Sequence, residues 1–383
     1  MWYFRSPKNI VFGEDAISYL EDLEGKNVLL VTDSILMNLK IPQIVTKLLQ
    51  KNNMNVIVYD EVNSEPTISM AEKGAKVASE NGIDWIVAVG GGSVIDCAKS
   101  IWILYENPEM RIDEVFPEDP LPLRNKARLI AIPTTSGTGS DANWAVVIKD
   151  TQTGQKLSIG HKNLIPDISI VDPQFTVNLP KHVTASTGID VLAHSIEAYT
   201  IQWRNDFSNP FALQAIKTVF EYLPKAVEEG QNLKYREEMH NAATMAGIAI
   251  GNSQIGGAHS LAHSAGAVLN INHGNIIAVV LPYMMRFCVE EEEVARLYSE
   301  IAYHIHLSFS TPKEGALKLI DKTEELIRNL GLKMKLSDFG VTKKQLEENM
   351  EKLCDFAIND TGSLVNPRDF TENDIKKLYN EMF

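Results

Sequence analysis

The first half of the chain alternates short apolar runs with longer segments in which apolar residues recur every three or four positions. The apolar runs predict buried strands at residues 28–33, 55–62, 85–90, 129–133 and 168–172. The periodic segments predict a helix at 42–52, which opens at its proline, and another at 67–81, which Gly82 ends. Strands that alternate with helices form parallel sheets with right-handed crossovers, so this half is predicted to be a doubly wound α/β domain.

The pattern changes beyond Pro173. Before that point we predict a hairpin between the strands at 129–133 and 168–172, with its turn at 150–154. From Thr184 onward nearly every segment has the helical period and one charged face. We therefore predict an α/β domain over residues 1–176 and an all-helical domain over residues 177–383, with neither a flexible linker nor an internal repeat.

Composition excludes several classes of function. The hydrophobic content of 44% is typical of a soluble globular protein, and a formal charge of -14 disfavours nucleic acids and anionic membranes as partners. Cys97, Cys288 and Cys354 are too far apart for a thiolate zinc site, and their odd number disfavours a disulfide framework. We expect a cytoplasmic protein, since the N-terminus lacks a signal pattern and no apolar run approaches the length of a membrane span.

Two segments of the second half are rich in histidine. Asp190 and His194 are four residues apart, as are His259 and His263, and His273 follows shortly afterwards. On a helix such pairs share one face, and two segments together could close the ligand shell of a divalent metal. Buried core histidines are the alternative, which we favour for a single histidine but not for this combination. Spacing does not choose between His259 and His263, and the remaining histidines are interpreted as surface or capping residues: His161, His182, His240, His304 and His306.

A glycine-rich turn, Gly90, Gly91, Gly92 and Ser93, follows a predicted strand and opens a helix. Glycine lets the backbone approach a ligand closely, and the N–H groups and dipole of a helix start favour a pyrophosphate. The turn is not the G-x-G-x-x-G fingerprint, and a turn without a ligand is the alternative. Because Asp96 would repel a phosphate, we expect it either to cap with Ser93 or to face the nicotinamide end.

Two further features support a dinucleotide site. The polar loop at 133–140 also follows a strand, and its hydroxyl and amide groups could hold a phosphate or a ribose. Asp33 ends the first predicted strand, where a carboxylate can accept hydrogen bonds from ribose hydroxyls and repel a 2'-phosphate. This position favours NAD over NADP; a turn or a helix cap at Asp33 is the competing interpretation.

These motifs resemble the iron-containing (group III) alcohol dehydrogenases. The similarity covers nearly the full length of the chain, and the matching segments are 90–96, 132–139, 187–197, 259–266, 273–274 and 366–368. The resemblance implies a dehydroquinate synthase-like fold, in which an N-terminal dinucleotide-binding domain and an all-helical domain enclose a cleft for metal and nicotinamide.

Carried onto this chain, the resemblance implies that the metal ligands are Asp190, His194, His259 and His273. It leaves His263 without metal, near the nicotinamide, where it could transfer a proton. It also implies that Lys156 points into the cofactor cleft and that the dinucleotide contacts Thr134, Thr135 and Thr138. The chain departs from the family at three positions, which alter the expected surroundings of the site: Glu65 for a common Asn, Asp141 for a frequent Glu, and Tyr283 for a common His.

The resemblance thus implies reversible hydride transfer between a primary alcohol or diol and NAD(H), with Fe²⁺ or Zn²⁺ as Lewis acid. The expected partners are a small alcohol or aldehyde and a second copy of the chain in a homodimer. A polyol or glycerol-type dehydrogenase is the alternative on the same scaffold. A dehydroquinate synthase-like cyclase needs basic residues near the metal ligands, where the chain has few. A non-catalytic NAD-binding protein is the remaining alternative.

Overall fold

The computed structural model describes residues 3–63, 65–151 and 156–383. The chain forms two compact units. One is Arg5–Asn178, and the other is Leu179–Phe383 together with Tyr3 and Phe4.

A six-stranded parallel sheet forms the centre of the first unit. Its spatial order is β1-β8-β5-β4-β2-β3. The strands of this sheet are β1 Asn9–Phe12, β2 Asn27–Asp33, β3 Asn55–Val62, β4 Trp85–Gly90, β5 Arg128–Pro133 and β8 Ile168–Val171. The sequence did not predict β1, because its first and last residues are exposed, its two middle residues are half-buried, and it contains no buried apolar run.

An antiparallel hairpin of β6 (Ala145–Lys149) and β7 (Lys156–Gly160) lies between β5 and β8 in sequence. These are the strands of the hairpin that we predicted. The predicted turn at 150–154 falls mostly on residues 152–155, which lie outside the described residues.

Helices cover both faces of the parallel sheet. They are α1 Ser34–Asn38, α2 Ile41–Lys51, α3 Ile68–Asn81 and α4 Gly92–Glu106. Along β2, Val28 and Leu30 belong to one apolar cluster while Leu29 and Val31 belong to the other. Because successive side chains of a strand point to opposite faces, this division shows that both faces are covered, which explains the continuous apolar runs.

The second unit is helical throughout its described residues. Its helices are α5 Lys181–Thr200, α6 Asn209–Glu228, α7 Leu233–Asn252, α8 Gly257–Leu269, α9 His273–Cys288, α10 Glu292–His304, α11 Pro312–Asn329, α12 Lys343–Ile358 and α13 Glu372–Glu381. They share one apolar core. Within the part of the chain that the structure describes, we find no helix with the length and apolarity that a membrane crossing requires.

Helix α5 is buried on nearly all sides and lies at the centre of this unit. A Cβ atom at Gly188 would lie 2.2 Å from Leu223 Cδ1 of α6, so glycine permits the close packing of the two helices. The burial of α5 places its polar side chains, Asp190, His194 and Glu197, inside the protein.

Candidate active site

Three helices bring an acidic side chain and several histidines together. Asp190 lies in α5, His259 in the first turn of α8, and His273 is the first residue of α9. Asp190 Oδ1 is 3.5 Å from His259 Nε2 and 3.3 Å from His273 Nε2. One possible ligand atom from each of these residues lies within 4.8 Å of the other two. The two histidine-rich segments therefore converge on one point.

His194 lies directly against this group. It follows Asp190 by one helical turn, and its ring stacks on that of His259, with 4.3 Å between ring centroids and 14° between ring planes. His194 is not among the three residues whose ligand atoms are mutually close. The geometry thus places it at the edge of the cluster.

Three buried polar atoms of this cluster have no hydrogen-bond partner among the described residues: Asp190 Oδ1, His194 Nδ1 and His259 Nε2. Each such atom costs about 1–3 kcal/mol if it stays unsatisfied. Because all three belong to neighbouring side chains of one cluster, they indicate that a group outside the polypeptide satisfies them. Carboxylate oxygen and imidazole nitrogen are ligands of Fe²⁺ and Zn²⁺, so the residues fit a divalent cation.

The electrostatics of the cluster suit a cation as well. Burial opposes ionisation of Asp190, yet the histidines around it hold its pKa well below the ordinary value. Burial lowers the pKa of His194 to about 3, which keeps the ring in the neutral form that binds metals. Burial acts on His259 in the same direction, but Glu197 and Asp190 raise its pKa to about 10. The negative potential that attracts a proton there would also attract a metal ion.

Glu197 holds the ring of His259, a role that the sequence analysis missed. Its Oε2 accepts a very short hydrogen bond from His259 Nδ1, and its Oε1 accepts from the backbone N–H groups of Ala258 at 2.7 Å and His259 at 3.3 Å. The Nδ1 proton therefore faces Glu197, and Nε2 is left facing Asp190. The available signal was its spacing, since Glu197 lies seven residues after Asp190 on the same helical face.

His263 lies beside the cluster but has a different partner. Its Nδ1 is 2.9 Å from Asp360 Oδ2, and its ring centroid is 5.3 Å from that of His273. The His263 side chain is 26% exposed, against 1% for His259. The geometry thus distinguishes the two histidines of α8, which spacing alone did not.

The glycine turn of the first unit packs against the loop at 133–140. A Cβ atom at Gly92 would lie 2.8 Å from Thr138 Oγ1, and one at Gly91 would lie 3.3 Å from Thr135 Oγ1. Thr134 N donates to Gly90 O at 3.1 Å. The structure thus brings together the turn and the loop that we predicted to hold a dinucleotide, and a Cβ atom at Gly92 would be too close to Thr138.

The start of α4 is formed by backbone. Its N-cap is Gly91, which has no side chain to cap the helix. A helix N-terminus without a cap can bind an anion through its N–H groups and dipole. The backbone there fits a pyrophosphate.

Asp96 makes contacts that the sequence did not indicate. Its carboxylate accepts hydrogen bonds from Ser140 Oγ at 2.6 Å and Val147 N at 3.0 Å. Lys99, one helical turn later, is fully buried and donates to the carbonyls of Asn143 at 2.9 Å and Ala145 at 3.0 Å. Asp96 and Lys99 therefore hold residues 140–147 against α4 by hydrogen bonds.

Asp33 and Lys156 both have partners within the first unit. Asp33 Oδ1 accepts from Leu36 N at 2.9 Å and caps α1, while its Oδ2 makes no hydrogen bond to the described residues. Lys156 Nζ lies 2.7 Å from Glu65 Oε1, and Lys149 Nζ lies 3.1 Å from Glu65 Oε2. The hydrogen bonds from Lys156 and Lys149 lower the pKa of Glu65. The departure at Glu65 thus gives Lys156 an acidic partner.

Comparisons with known proteins agree over the whole chain. The family described as iron-containing alcohol dehydrogenase matches residues 7–173, and the C-terminal part of the Fe-containing alcohol dehydrogenase family matches residues 184–383. The chain is 34% identical over 381 residues to the NADPH-dependent butanol dehydrogenase of Clostridium saccharobutylicum, which covers 99% of this chain and 97% of that protein. This chain matches 46% of the bifunctional aldehyde-alcohol dehydrogenase of Escherichia coli strain K12, and thus spans about half the length of such relatives.

Solved structures give the same result. A 1,3-propanediol oxidoreductase superposes with a TM-score of 0.94 at 30% identity and covers 100% of both chains. The iron-containing alcohol dehydrogenase of Thermococcus thioreducens superposes with a TM-score of 0.91 at 32% identity, covering 100% of this chain and 99% of that one.

Proposed function

Because the chain belongs to the iron-containing alcohol dehydrogenase family, we propose that it catalyses reversible hydride transfer between a primary alcohol or diol and NAD(H). The family and its dehydroquinate synthase-like fold, both predicted from the motifs, are confirmed. The observation that carries the proposal is the convergence of ligand atoms from Asp190, His259 and His273 within 4.8 Å of one another, at a place where Asp190 Oδ1 and His259 Nε2 are buried without a hydrogen-bond partner among the described residues.

We propose that the divalent metal is held by Asp190, His194, His259 and His273. Iron is the metal in the family's description, and the same ligand types also suit zinc. When bound, the cation supplies a Lewis acid next to the substrate oxygen. The single charge of Asp190 offsets part of the charge of the ion, while Glu197 keeps the Nε2 atom of His259 free to bind.

We propose NAD as the cofactor, although the related butanol dehydrogenase is named as NADPH-dependent. The support is Asp33, whose Oδ2 makes no hydrogen bond to the described residues and whose charge would repel a 2'-phosphate. The nicotinamide supplies the hydride acceptor when it is bound. The proposed cofactor-binding residues are Asp33, Gly90, Gly91, Gly92, Ser93, Asp96, Thr134, Thr135, Thr138 and Lys156.

We propose that His263 moves the proton. In the oxidation direction the alcohol loses a hydride and a hydroxyl proton, and an imidazole is a suitable acceptor for the latter. Its Nδ1 is held by Asp360, and the partial exposure of the ring leaves it a way to pass the proton to solvent.

We also propose a homodimer formed through strand β1. This strand lies at the edge of the sheet, where β8 is its neighbour, and Phe12 is 64% exposed. An edge strand offers unpaired backbone groups to a second copy. The N–H groups of Asn9 and Gly13 donate to β8, so by the alternation of a strand the N–H of Phe12 points away from the sheet. Size-exclusion chromatography with light scattering of a Phe12→Pro variant tests this: we expect a monomer, and an unchanged dimer would contradict the proposed interface.

The function is tested by following NADH absorbance with a panel of short alcohols, diols and aldehydes. We expect alcohol-dependent reduction of NAD that a chelator abolishes and Fe²⁺ or Zn²⁺ restores. His273→Ala should lose bound metal and turnover together. His182→Ala is the matched control, since His182 is an exposed residue in the first turn of α5. Full turnover by the chelated protein or by His273→Ala would refute the proposal.

A further inference from the structure

We infer that Asp360 is a positioning residue that fixes the tautomer of His263, so that Nε2 is the nitrogen that accepts the proton. The inference rests on the proposed function, because it assigns a partner to the proposed proton acceptor. Asp360 determines which nitrogen of the neutral His263 ring carries the proton; the affinity of the ring for a second proton is a separate property.

The carboxylate of Asp360 is held firmly. Asp360 caps the 3-10 turn Thr361–Val365, and its side chain is 10% exposed. Oδ1 accepts from Gly362 N at 2.9 Å and from Ser260 Oγ at 3.1 Å. Oδ2 is left for His263 Nδ1, at 2.9 Å. Oδ1 therefore holds the carboxylate in the turn, and Oδ2 accepts the hydrogen bond from His263.

An ionised carboxylate can only accept hydrogen bonds, so Nδ1 of His263 must be the donor. In a neutral imidazole the other nitrogen is then an acceptor, which leaves the lone pair on Nε2. A neutral Nε2–H tautomer would place two lone pairs against each other at 2.9 Å. The contact thus selects one tautomer without any change in the number of bound protons.

The other histidine of α8 at the site, His259, also has a carboxylate hydrogen-bonded to its Nδ1. His259 gives its Nδ1 proton to Glu197, as His263 gives its own to Asp360. The carboxylates come from different parts of the chain, α5 and the turn after α12, although the histidines are four residues apart. Both rings are therefore oriented with Nε2 away from their carboxylate.

In the proposed oxidation, His263 takes up one proton for each hydride that the alcohol loses. The alcohol C–H bond breaks and its hydride adds to the nicotinamide of NAD⁺, while the hydroxyl O–H bond breaks and its proton joins Nε2 of His263. The products are aldehyde, NADH and a protonated His263, which returns the Nε2 proton to water. The Nδ1 proton stays in the hydrogen bond to Asp360 throughout.

Asp360→Asn is the decisive substitution. The amide oxygen of asparagine can replace Oδ1 toward Gly362 N and Ser260 Oγ, which directs the NH₂ group at Nδ1 of His263. An amide NH₂ can only donate, so the ring must move its proton to Nε2. Replacing the aspartate of a Ser-His-Asp triad in this way keeps the geometry and lowers kcat about 10⁴-fold. Here we expect kcat to fall by about 100-fold or more, with metal content and the KM for cofactor unchanged. Asp369→Asn, at an exposed position nearby in sequence, is the control.

A double-mutant cycle of Asp360 and His263 distinguishes an effect of Asp360 on the His263 ring from a general effect on the fold. If Asp360 acts through His263, Asp360→Asn should slow the His263→Ala enzyme by less than about 3-fold. An equal loss in both backgrounds would overturn the inference while leaving the proposed function intact. A wild-type enzyme that oxidises no alcohol would instead refute the proposed function.

The tautomer can be observed without turnover. In the zinc-loaded protein with ¹⁵N-labelled histidine, the ¹⁵N shifts of His263, assigned by their loss in His263→Ala, should report a protonated Nδ1 in the wild type and a protonated Nε2 in Asp360→Asn. A protonated Nε2 in the neutral wild-type ring would overturn the inference. This measurement on the wild type holds even if the variant fails to fold.

Discussion

The substitution Glu197→Gln tests how the protein prepares a histidine for metal. The amide oxygen can still accept from the backbone N–H groups of Ala258 and His259, now at 2.7 and 3.3 Å. The NH₂ group would then face His259 Nδ1, where a proton acceptor is needed. The ring must therefore carry its proton on Nε2, the atom that lies 3.5 Å from Asp190 Oδ1.

The size of the effect follows from this exchange. Removing the carboxylate partner of a metal-binding histidine typically costs about 10–100-fold in affinity. That range corresponds to about 1.4–2.7 kcal/mol. Because glutamine also imposes the tautomer that cannot bind, we expect metal affinity to fall by about 100-fold, at the upper end of the range.

The assay is competition for Zn²⁺ or Co²⁺ between the protein and a chromophoric chelator. Glu300→Gln is the matched control, because Glu300 accepts a hydrogen bond from Tyr199 Oη at 2.8 Å and lies far from the cluster in sequence. We expect the control to bind metal as the wild type does. A Glu197→Gln protein that binds within about 3-fold of the wild type would show that the orientation of His259 is not set by this carboxylate.

Three other predictions concern the first unit. Asp33→Asn keeps the cap of α1 but removes the charge, so the ratio of kcat/KM for NAD to that for NADP should fall by about 10-fold; an unchanged ratio would contradict the role of Asp33. Gly92→Ala places a Cβ 2.8 Å from Thr138 Oγ1 and would push the glycine turn away from the 133–140 loop, so the Kd for cofactor, measured by fluorescence titration, should rise. An unchanged Kd would contradict a cofactor site at this turn. Burial lowers the pKa of Lys99 to about 8 from 10.5, so its penalty on folding is complete below pH 8 and disappears as the pH rises to 10.5. The free energy of unfolding of the wild type, measured with denaturant, should therefore rise relative to Lys99→Met by up to about 3 kcal/mol across that window, and a falling difference would contradict it.

The central strands were predictable because burial on both faces leaves an unbroken apolar run. The predicted strand at 85–90 has the observed bounds of β4, which is buried at every residue. The predicted strand at 55–62 has the bounds of β3, which lies at the edge of the sheet and was visible from the β-branched residues at its start. Helix α3 was equally clear, since Thr67 caps it and Gly82, at φ 57°, ends it in the left-handed conformation. Strand β1 was missed because it has only four residues, of which the first and last are exposed, so it contains no buried apolar run.

The site was only partly visible in the sequence. The four-residue spacings placed Asp190 with His194 and His259 with His263, because helical geometry fixes local neighbours. They could not show which histidine faces the carboxylate of α5, since that depends on how two helices pack.

The pairing of each orienting carboxylate with its histidine could not be predicted, for the same reason. Glu197 lies 62 residues from His259, and Asp360 lies 97 residues from His263. Asp96 was expected beside the cofactor or as a cap with Ser93, but its hydrogen bonds to Ser140 and Val147 depend on where the hairpin folds. Contacts of this kind follow from tertiary packing, which no local spacing encodes.

Anomalous diffraction at the metal edge, from crystals of the protein grown with Fe²⁺ or Zn²⁺, tests the central claim most directly. We predict one strong peak within bonding distance of Asp190, His194, His259 and His273, with His263 outside the coordination shell. A cluster without a peak, or a peak bound by His263 in place of His259, would contradict the proposed metal centre.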